Sequence, residues 1–192
     1  LDNPIDLFKN WFSKAEEKEI NDPNAVAVAT SDKNNQPNVR MVLLKDLSER
    51  GFVFYTNFNS KKGNELKINQ KASMCFHWKS LRRQVRVIGK VEEVTPKEAD
   101  NYYNSRPYNN RISAWASSQS EILDKRETFL NKIKEYKKRY PDENNVPRPA
   151  HWSGWRLMPD DIEFWVDGEG RVHERLNYKK RNGKWEKEIL YP

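Results

Sequence analysis

The chain has 192 residues, 36% of them hydrophobic and 33% charged, and its seven Trp, eight Tyr and eight Phe exclude the composition of a disordered chain. A single cysteine, Cys75, excludes an intramolecular disulfide and fits a reducing, cytoplasmic compartment, and no apolar run reaches the roughly 20 residues of a membrane-spanning helix. The net charge of +7 favours an anionic partner: nucleic acid, a membrane surface or a phosphorylated small molecule.

The first half of the chain is predicted to contain one amphipathic helix followed by short strands. Asn3 can cap a helix over 4–20, and Pro4 suits its first turn. Apolar runs bounded by turn residues then predict strands, and Gly89 inside one of them predicts a bulge. The predicted strands cover 25–30, 39–44, 51–56, 72–78 and 84–94, and short helices cover 60–69 and 96–105.

The second half begins with the longest predicted helix, 120–140, and then returns to strands. Gly168-Glu169-Gly170 and Asn182-Gly183 are typical hairpin turns. No linker divides the chain, so we predict a single domain over 1–192. Its fold class is mainly β with flanking helices (α+β), an antiparallel barrel with helices packed around it. The remaining predicted strands cover 152–158, 162–166, 172–178 and 185–190.

Two cations flank the strand that follows the first turn. Alternation places Arg40, Val42 and Leu44 on one face and Met41, Leu43 and Lys45 on the other. The two cations could therefore hold two different anions. They could equally be strand-end charges that reach solvent.

Arg171, His173 and Arg175 are predicted to project from one face of one strand, with Trp165 just across the turn at 168–170. Three potential cations on one face repel unless an anion or an electron-rich group lies nearby. The alternatives are an anion site and a solvated outer face compensated by glutamates.

Helix positions offer further anion-binding candidates. Tyr102 and Arg106 lie four residues apart on the predicted helix 96–105, and Ser60-Lys61-Lys62 opens the helix 60–69. Gln119-Ser120 opens the long helix in a similar way. Each pattern also has a structural explanation, either a surface charge or an ordinary helix start.

Several other chemistries lack their sequence patterns. The three histidines have no zinc-ligand spacing, no GxGxxG follows a strand, and no G-x-S-x-G turn is present. Lysine and arginine are dispersed along the chain, which argues against nucleic-acid binding. We expect no nucleic acid and no membrane partner.

The motifs taken in order resemble those of the pyridoxamine 5′-phosphate oxidase family. The resemblance runs from about Pro4 to the end of the chain. It rests on RMVLLK at 40–45, FYTN at 54–57, SKK at 60–62, RQV at 83–85, YYNSRP at 102–107, AWASSQS at 114–120, IEFW at 162–165 and RVHER at 171–175, with Pro192 at the end.

The resemblance implies an FMN-binding split β-barrel and a homodimer whose two active sites lie at the subunit interface, with 150–192 supplying dimerisation and active-site strands. The implied reaction oxidises pyridoxamine 5′-phosphate or pyridoxine 5′-phosphate to pyridoxal 5′-phosphate, with O2 as acceptor and H2O2 as product. The implied FMN contacts within one subunit are Arg40, Met41, Val42, Leu43, Leu44, Lys45, Tyr55, Thr56, Lys61, Lys62 and Gln84. From the partner subunit the implied contacts are Gln119, Ser120, Trp165 and Arg175.

The substrate contacts that the resemblance implies are Lys45, Tyr102, Arg106, Asn110, Arg171 and His173, and it makes Arg171 and His173 the catalytic candidates. The chain departs from the family pattern at Lys61, where Arg is frequent, and at Asn110, where Ser is frequent. Lysine keeps the charge but loses bidentate geometry, whereas an amide can still donate to phosphate. The alternatives are a split-barrel flavin enzyme with another substrate, a non-enzymatic flavin or vitamin-phosphate carrier, and a basic nucleic-acid-binding barrel.

Overall fold

The structure is a computed structural model that describes residues 1–192 and contains five α-helices and nine strands. The helices are α1 (Pro4–Lys18), α2 (Lys61–Ile68), α3 (Pro96–Ser105), α4 (Tyr108–Ala116) and α5 (Arg126–Arg139). The strands are β1 (Ala25–Ser31), β2 (Pro37–Leu43), β3 (Asp46–Ser48), β4 (Gly51–Asn57), β5 (Lys71–Trp78), β6 (Arg83–Glu93), β7 (Trp152–Val166), β8 (Glu174–Arg181) and β9 (Lys184–Leu190).

All nine strands join one curled antiparallel sheet in the order β2-β1-β5-β6-β7-β4-β3, and β8 and β9 extend it from β7. The first half of β7 pairs with β4 and its second half with β8, while β6 runs along both halves. The register shift at Ile88/Gly89 confirms the bulge predicted at Gly89. A side chain at Gly89 would collide with the carbonyl of Met158, which explains the glycine. The mainly-β fold class with flanking helices is confirmed.

Helix α1 closes the core of the barrel. It begins as predicted, because the Asn3 side chain accepts a hydrogen bond from the Ile5 N–H at 2.9 Å. Its buried face places Phe8 against Phe52 and Phe76, with ring centroids 5.0 and 4.9 Å apart. This packing belongs to one cluster of 23 buried residues. None of the five helices combines the length and the hydrophobicity that a membrane-spanning helix requires.

The helix predicted over 120–140 is wrong in its first turns. Helix α5 begins only at Arg126, and Ser120 has a left-handed backbone with φ 75°. The Ser120 Oγ accepts a hydrogen bond from the Lys61 N–H at 3.1 Å, and Ile122 is fully exposed instead of lying on an apolar stripe. A contact with the start of α2 therefore overrides the local helix preference, and α1, with 15 residues, is the longest helix.

The predicted strand 172–178 is also wrong at its beginning. Strand β8 starts at Glu174, Arg171 ends a 3₁₀ turn (Glu169–Arg171) with φ 66°, and His173 lies between turn and strand. Arg171, His173 and Arg175 therefore do not project from one strand face. The strands predicted at 152–158 and 162–166 form the single strand β7, and the prediction missed β3 and α4. Helix α4 starts directly after Pro107, which caps it, so Arg106-Pro107 ends one helix and begins the next.

Candidate active site

A groove of about 420 Å³ lies where the ends of β2 and β4 meet helices α2, α3 and α4. Its lining contains three cations and no carboxylate, so we call it the basic groove. Such a lining attracts an anion because no acidic side chain offsets the positive potential. The lining residues are Met41, Val42, Leu43, Lys45, Tyr55, Thr56, Asn57, Lys62, Tyr102, Arg106, Asn110, Ser113, Ala114, Ser117, Gln119 and Trp152.

Lys62 forms one end of the basic groove, in the first turn of α2. It is 8% exposed, and its Nζ donates to Thr56 Oγ1 at 2.9 Å and to Gln119 Oε1 at 3.1 Å. Burial lowers the pKa of Lys62 to about 8, and the Arg40 guanidinium acts in the same direction. A buried ammonium beside a helix N-terminus, held by neutral oxygens alone, is suited to a phosphate.

Gln119 and Ser120 belong to this same end. Gln119 Oε1 also accepts from Thr56 Oγ1 at 3.2 Å, and Ser120 Oγ accepts from the Lys61 N–H. The resemblance assigned both residues to the partner subunit. Their contacts in this structure are with Thr56, Lys61 and Lys62 of their own chain, which favours contact with a ligand bound by the same subunit.

The other end of the basic groove contains the expected substrate-phosphate residues Lys45, Tyr102, Arg106 and Asn110. The Arg106 Nη1 atom is buried and has no hydrogen-bond partner. Burial also lowers the pKa of Arg106, because the charged form is poorly solvated. Lys45 Nζ lies 6.0 Å from the centroid of the Tyr102 ring. An arginine with a buried donor atom that lacks an acceptor indicates a position for an anionic ligand.

Three nearly parallel rings, which we call the aromatic stack, support this end: Tyr55, Tyr102 and Trp152. The Tyr55 centroid lies 4.1 Å from Tyr102 and 5.4 Å from Trp152. Burial raises the pKa of Tyr55 to about 12, so its hydroxyl stays protonated at neutral pH. The sequence prediction missed Trp152, because no spacing in the chain connects it to Arg106.

Arg40 and Leu44 do not line the basic groove. The alternation predicted for β2 is confirmed between Pro37 and Leu43. However, Arg40 Nη2 lies 3.3 Å from the buried Glu65 Oε2, and its Nη1 donates to Thr30 Oγ1 at 2.5 Å. Arg40 therefore has an anionic partner within the chain, whereas Lys45 remains without one.

The remaining predicted site residues lie outside the basic groove of their own chain. The His173 ring lies 4.7 Å from Trp165, and its Nδ1 is 3.1 Å from Asp167 Oδ1. Arg175 makes two 3.0 Å contacts with the buried Glu163 carboxylate. Gln84 pairs with Trp165 in the β6–β7 ladder. His173 and Arg175 line a second groove of about 700 Å³ beside the C-terminal residues.

Most of the chain matches models of known protein families. Residues 12–140 match the model described as pyridoxamine 5′-phosphate oxidase. Residues 152–192 match the pyridoxine 5′-phosphate oxidase C-terminal dimerisation region. A pyridoxine/pyridoxamine 5′-phosphate oxidase from Pelagibacter ubique is 62% identical, covering 99% of this chain and 92% of the relative. One from Agrobacterium fabrum is 54% identical, covering 98% and 92%.

Solved structures show the same fold. PhzG from Burkholderia lata, determined in complex with tetrahydrophenazine-1-carboxylic acid, superposes with a TM-score of 0.94 at 29% identity and covers 100% of this chain and 94% of its own. A pyridoxamine 5′-phosphate oxidase-related, FMN-binding protein from Nostoc punctiforme has a TM-score of 0.77 at 16% identity, with coverages of 96% and 97%. The second likeness concerns the fold alone. With its family-model matches and relatives above half identity, the chain belongs to the pyridoxamine 5′-phosphate oxidase family.

Proposed function

We propose that this chain oxidises pyridoxamine 5′-phosphate and pyridoxine 5′-phosphate to pyridoxal 5′-phosphate, with FMN as cofactor and O2 as acceptor, releasing H2O2. The observation that carries the proposal is the basic groove, which has a cation without an anionic partner at each end and no carboxylate in its lining. Two phosphorylated molecules, one cofactor and one substrate, fit two such ends. Relatives that are 62% and 54% identical over nearly the whole chain are named for the same activity.

The Lys62 end fits the phosphate of FMN. The ammonium is buried among hydroxyl and amide oxygens in the first turn of α2, where the helix dipole favours an anion. FMN, when bound, accepts the two electrons that leave the C4′ carbon of the substrate. Lysine at position 61 keeps the positive charge of this end but offers a single point of contact. The residues that would hold the cofactor here are Thr56, Lys61, Lys62, Gln119 and Ser120, with Met41, Val42, Leu43 and Tyr55 lining the groove between the two ends.

The Arg106 end fits the phosphate of the substrate. Lys45 and Arg106 supply charge, the Tyr102 hydroxyl supplies a donor, and the Asn110 amide takes the position at which the family frequently has serine. Phosphate binding remote from the reacting carbon restricts the motion of the substrate. Binding energy is then available to orient C4′ for the reaction.

We further propose a homodimer in which Arg171, His173, Trp165 and Arg175 of one subunit complete the basic groove of the other. The match of 152–192 to a dimerisation region supports this arrangement, as does the position of these residues outside their own basic groove. Arg171 and His173 would contact the pyridine ring of the substrate. Gln84, which pairs with Trp165, is assigned to the same contributed surface. The proposal places the enzyme in the cytoplasm, because its single cysteine, Cys75, is a free thiol.

An absorbance spectrum of the purified protein and a peroxide assay test the proposal together. We expect a flavin spectrum and stoichiometric H2O2 with pyridoxamine 5′-phosphate, and much slower peroxide release with unphosphorylated pyridoxamine. A flavin spectrum without peroxide would support a carrier or a flavin enzyme with another substrate. A colourless protein with salt-dependent DNA or RNA affinity would support the nucleic-acid-binding alternative.

A further inference from the structure

Trp152, the first residue of β7, lies against the substrate-phosphate end of the basic groove. It is 6% exposed, and its indole is the surface on which the Arg106 guanidinium rests, 4.7 Å from the ring centroid. The same indole is nearly parallel to Tyr55, with 10° between the ring planes, and to Tyr102, with 12°. Trp152 therefore contacts two of the groups expected to hold the substrate phosphate.

The Trp152 indole is the contact available to orient Arg106. It follows the last residue of α3, its Nη1 has no hydrogen-bond partner, and no carboxylate lines the groove around it. An arginine side chain without partners samples many rotamers, and fixing one of them for phosphate binding costs conformational entropy. The flat face of an indole selects the rotamers in which the guanidinium lies parallel to the ring.

An aromatic face also differs from a carboxylate because it leaves the N–H donors of the arginine free for another ligand. A carboxylate would orient Arg106 but would occupy its donors and compete with a phosphate for the charge. The indole holds the guanidinium through its π electrons and leaves the in-plane N–H donors free. The Arg106 guanidinium is thus held in one orientation while its N–H donors remain available to a phosphate.

We propose that Trp152 is a positioning residue that aims Arg106 and Tyr102 at the substrate phosphate, so that it sets affinity for the phosphorylated form of the substrate. This inference rests on the proposed function. It predicts that Trp152 acts on substrate binding and leaves the chemical step and the Lys62 end unaffected.

The test compares Trp152→Leu and Trp152→Phe with a matched control, Trp155→Phe. Trp155 lies three residues further along β7, is 1% exposed, stacks on Phe58 at 4.7 Å and does not line the basic groove. For FMN-loaded proteins, calorimetry gives the Kd of pyridoxine 5′-phosphate, and initial rates give KM and kcat. We expect Trp152→Leu to raise Kd and KM about tenfold, and Trp152→Phe about threefold, with kcat and FMN content unchanged and Trp155→Phe like wild type.

Three results would overturn the inference: an unchanged Kd in Trp152→Leu, an equal loss of affinity for unphosphorylated pyridoxine, or the same loss in Trp155→Phe. If Trp152→Leu does not fold, Trp152→Phe decides alone, and a Kd equal to that of wild type contradicts the role. Binding of inorganic phosphate to the same variants separates this inference from the proposed function. If the wild-type protein produces no peroxide but its affinity for inorganic phosphate falls in Trp152→Leu, the oxidase function is refuted and the positioning role stands.

Discussion

Raising the pH from 7 to 9 is expected to weaken FMN binding about tenfold, because Lys62 loses its proton over this range. Burial lowers the pKa of Lys62 to about 8, and no carboxylate in the groove opposes that shift. A bound phosphate favours the charged ammonium and raises the pKa again. Binding above pH 8 therefore requires uptake of a proton, whereas binding below pH 8 finds the proton already in place.

The size of the change in Kd follows from the fraction of free protein in which Lys62 is already protonated. At pH 7 about nine in ten molecules of the free protein carry the Lys62 proton, and at pH 9 about one in ten does. The apparent Kd rises by the inverse of that fraction, which is about tenfold or about 1.4 kcal/mol. The contribution of Lys62 to FMN affinity is thus fully present well below pH 8, and it is lost as the pH rises through the pKa of Lys62 in the free protein.

Quenching of FMN fluorescence in apoprotein titrations at pH 7, 8 and 9 measures this dependence. Lys62→Ala is the matched variant, because it removes the titrating group and leaves the rest of α2 in place. We expect Lys62→Ala to bind FMN weakly and with little change between pH 7 and 9. A wild-type Kd that is constant over this range, or an equal slope in Lys62→Ala, would refute the reasoning.

Three further substitutions test other parts of the site. Gly154→Ala would place a methyl group 2.8 Å from the Tyr55 ring, so we expect a several-fold higher KM for pyridoxine 5′-phosphate in steady-state assays, and an unchanged KM would contradict the role of the aromatic stack. Glu65→Gln leaves Arg40 without its buried ion-pair partner and should lower the free energy of unfolding in urea by about 3 kcal/mol; a change below about 1 kcal/mol would contradict the importance of this pair. Arg171→Leu should lower kcat far more than FMN occupancy, and a parallel loss of both in flavin absorbance and peroxide assays would show that the role assigned to Arg171 is wrong.

Local chemistry was sufficient wherever neighbours in the sequence are also neighbours in space. The Asn3 cap of α1 and the capping box between Thr95 and Glu98 satisfy backbone N–H groups within one turn of helix, so both helix starts follow from the sequence. Asn182 and Gly183 adopt the positive φ angles that a tight hairpin requires. The order of the motifs along the chain likewise identified the family without coordinates.

Predictions failed where a distant contact competes with local preference. The segment 119–125 has helix-forming residues, but Ser120 bonds to the start of α2 and Gln119 to Lys62, and these bonds prevent a continuous helix. The prediction that Arg171 and His173 lie in a strand was wrong, because both residues precede β8, which begins at Glu174. Side chains alternate between the two faces of a sheet only within the hydrogen-bonded strand, so the alternation cannot be applied to the residues of the turn before it.

Motifs and the local hydrophobic pattern are sufficient to predict the family, the antiparallel mainly-β fold class and most residues of the basic groove. The pairing of Arg40 with Glu65, the position of Gln119 and Ser120 beside Lys62, and the contact between Trp152 and Arg106 become visible only in the folded chain. Each of these is a contact between side chains from different elements. Their meeting depends on how the sheet curls and how the helices close over it, which no spacing along the chain encodes.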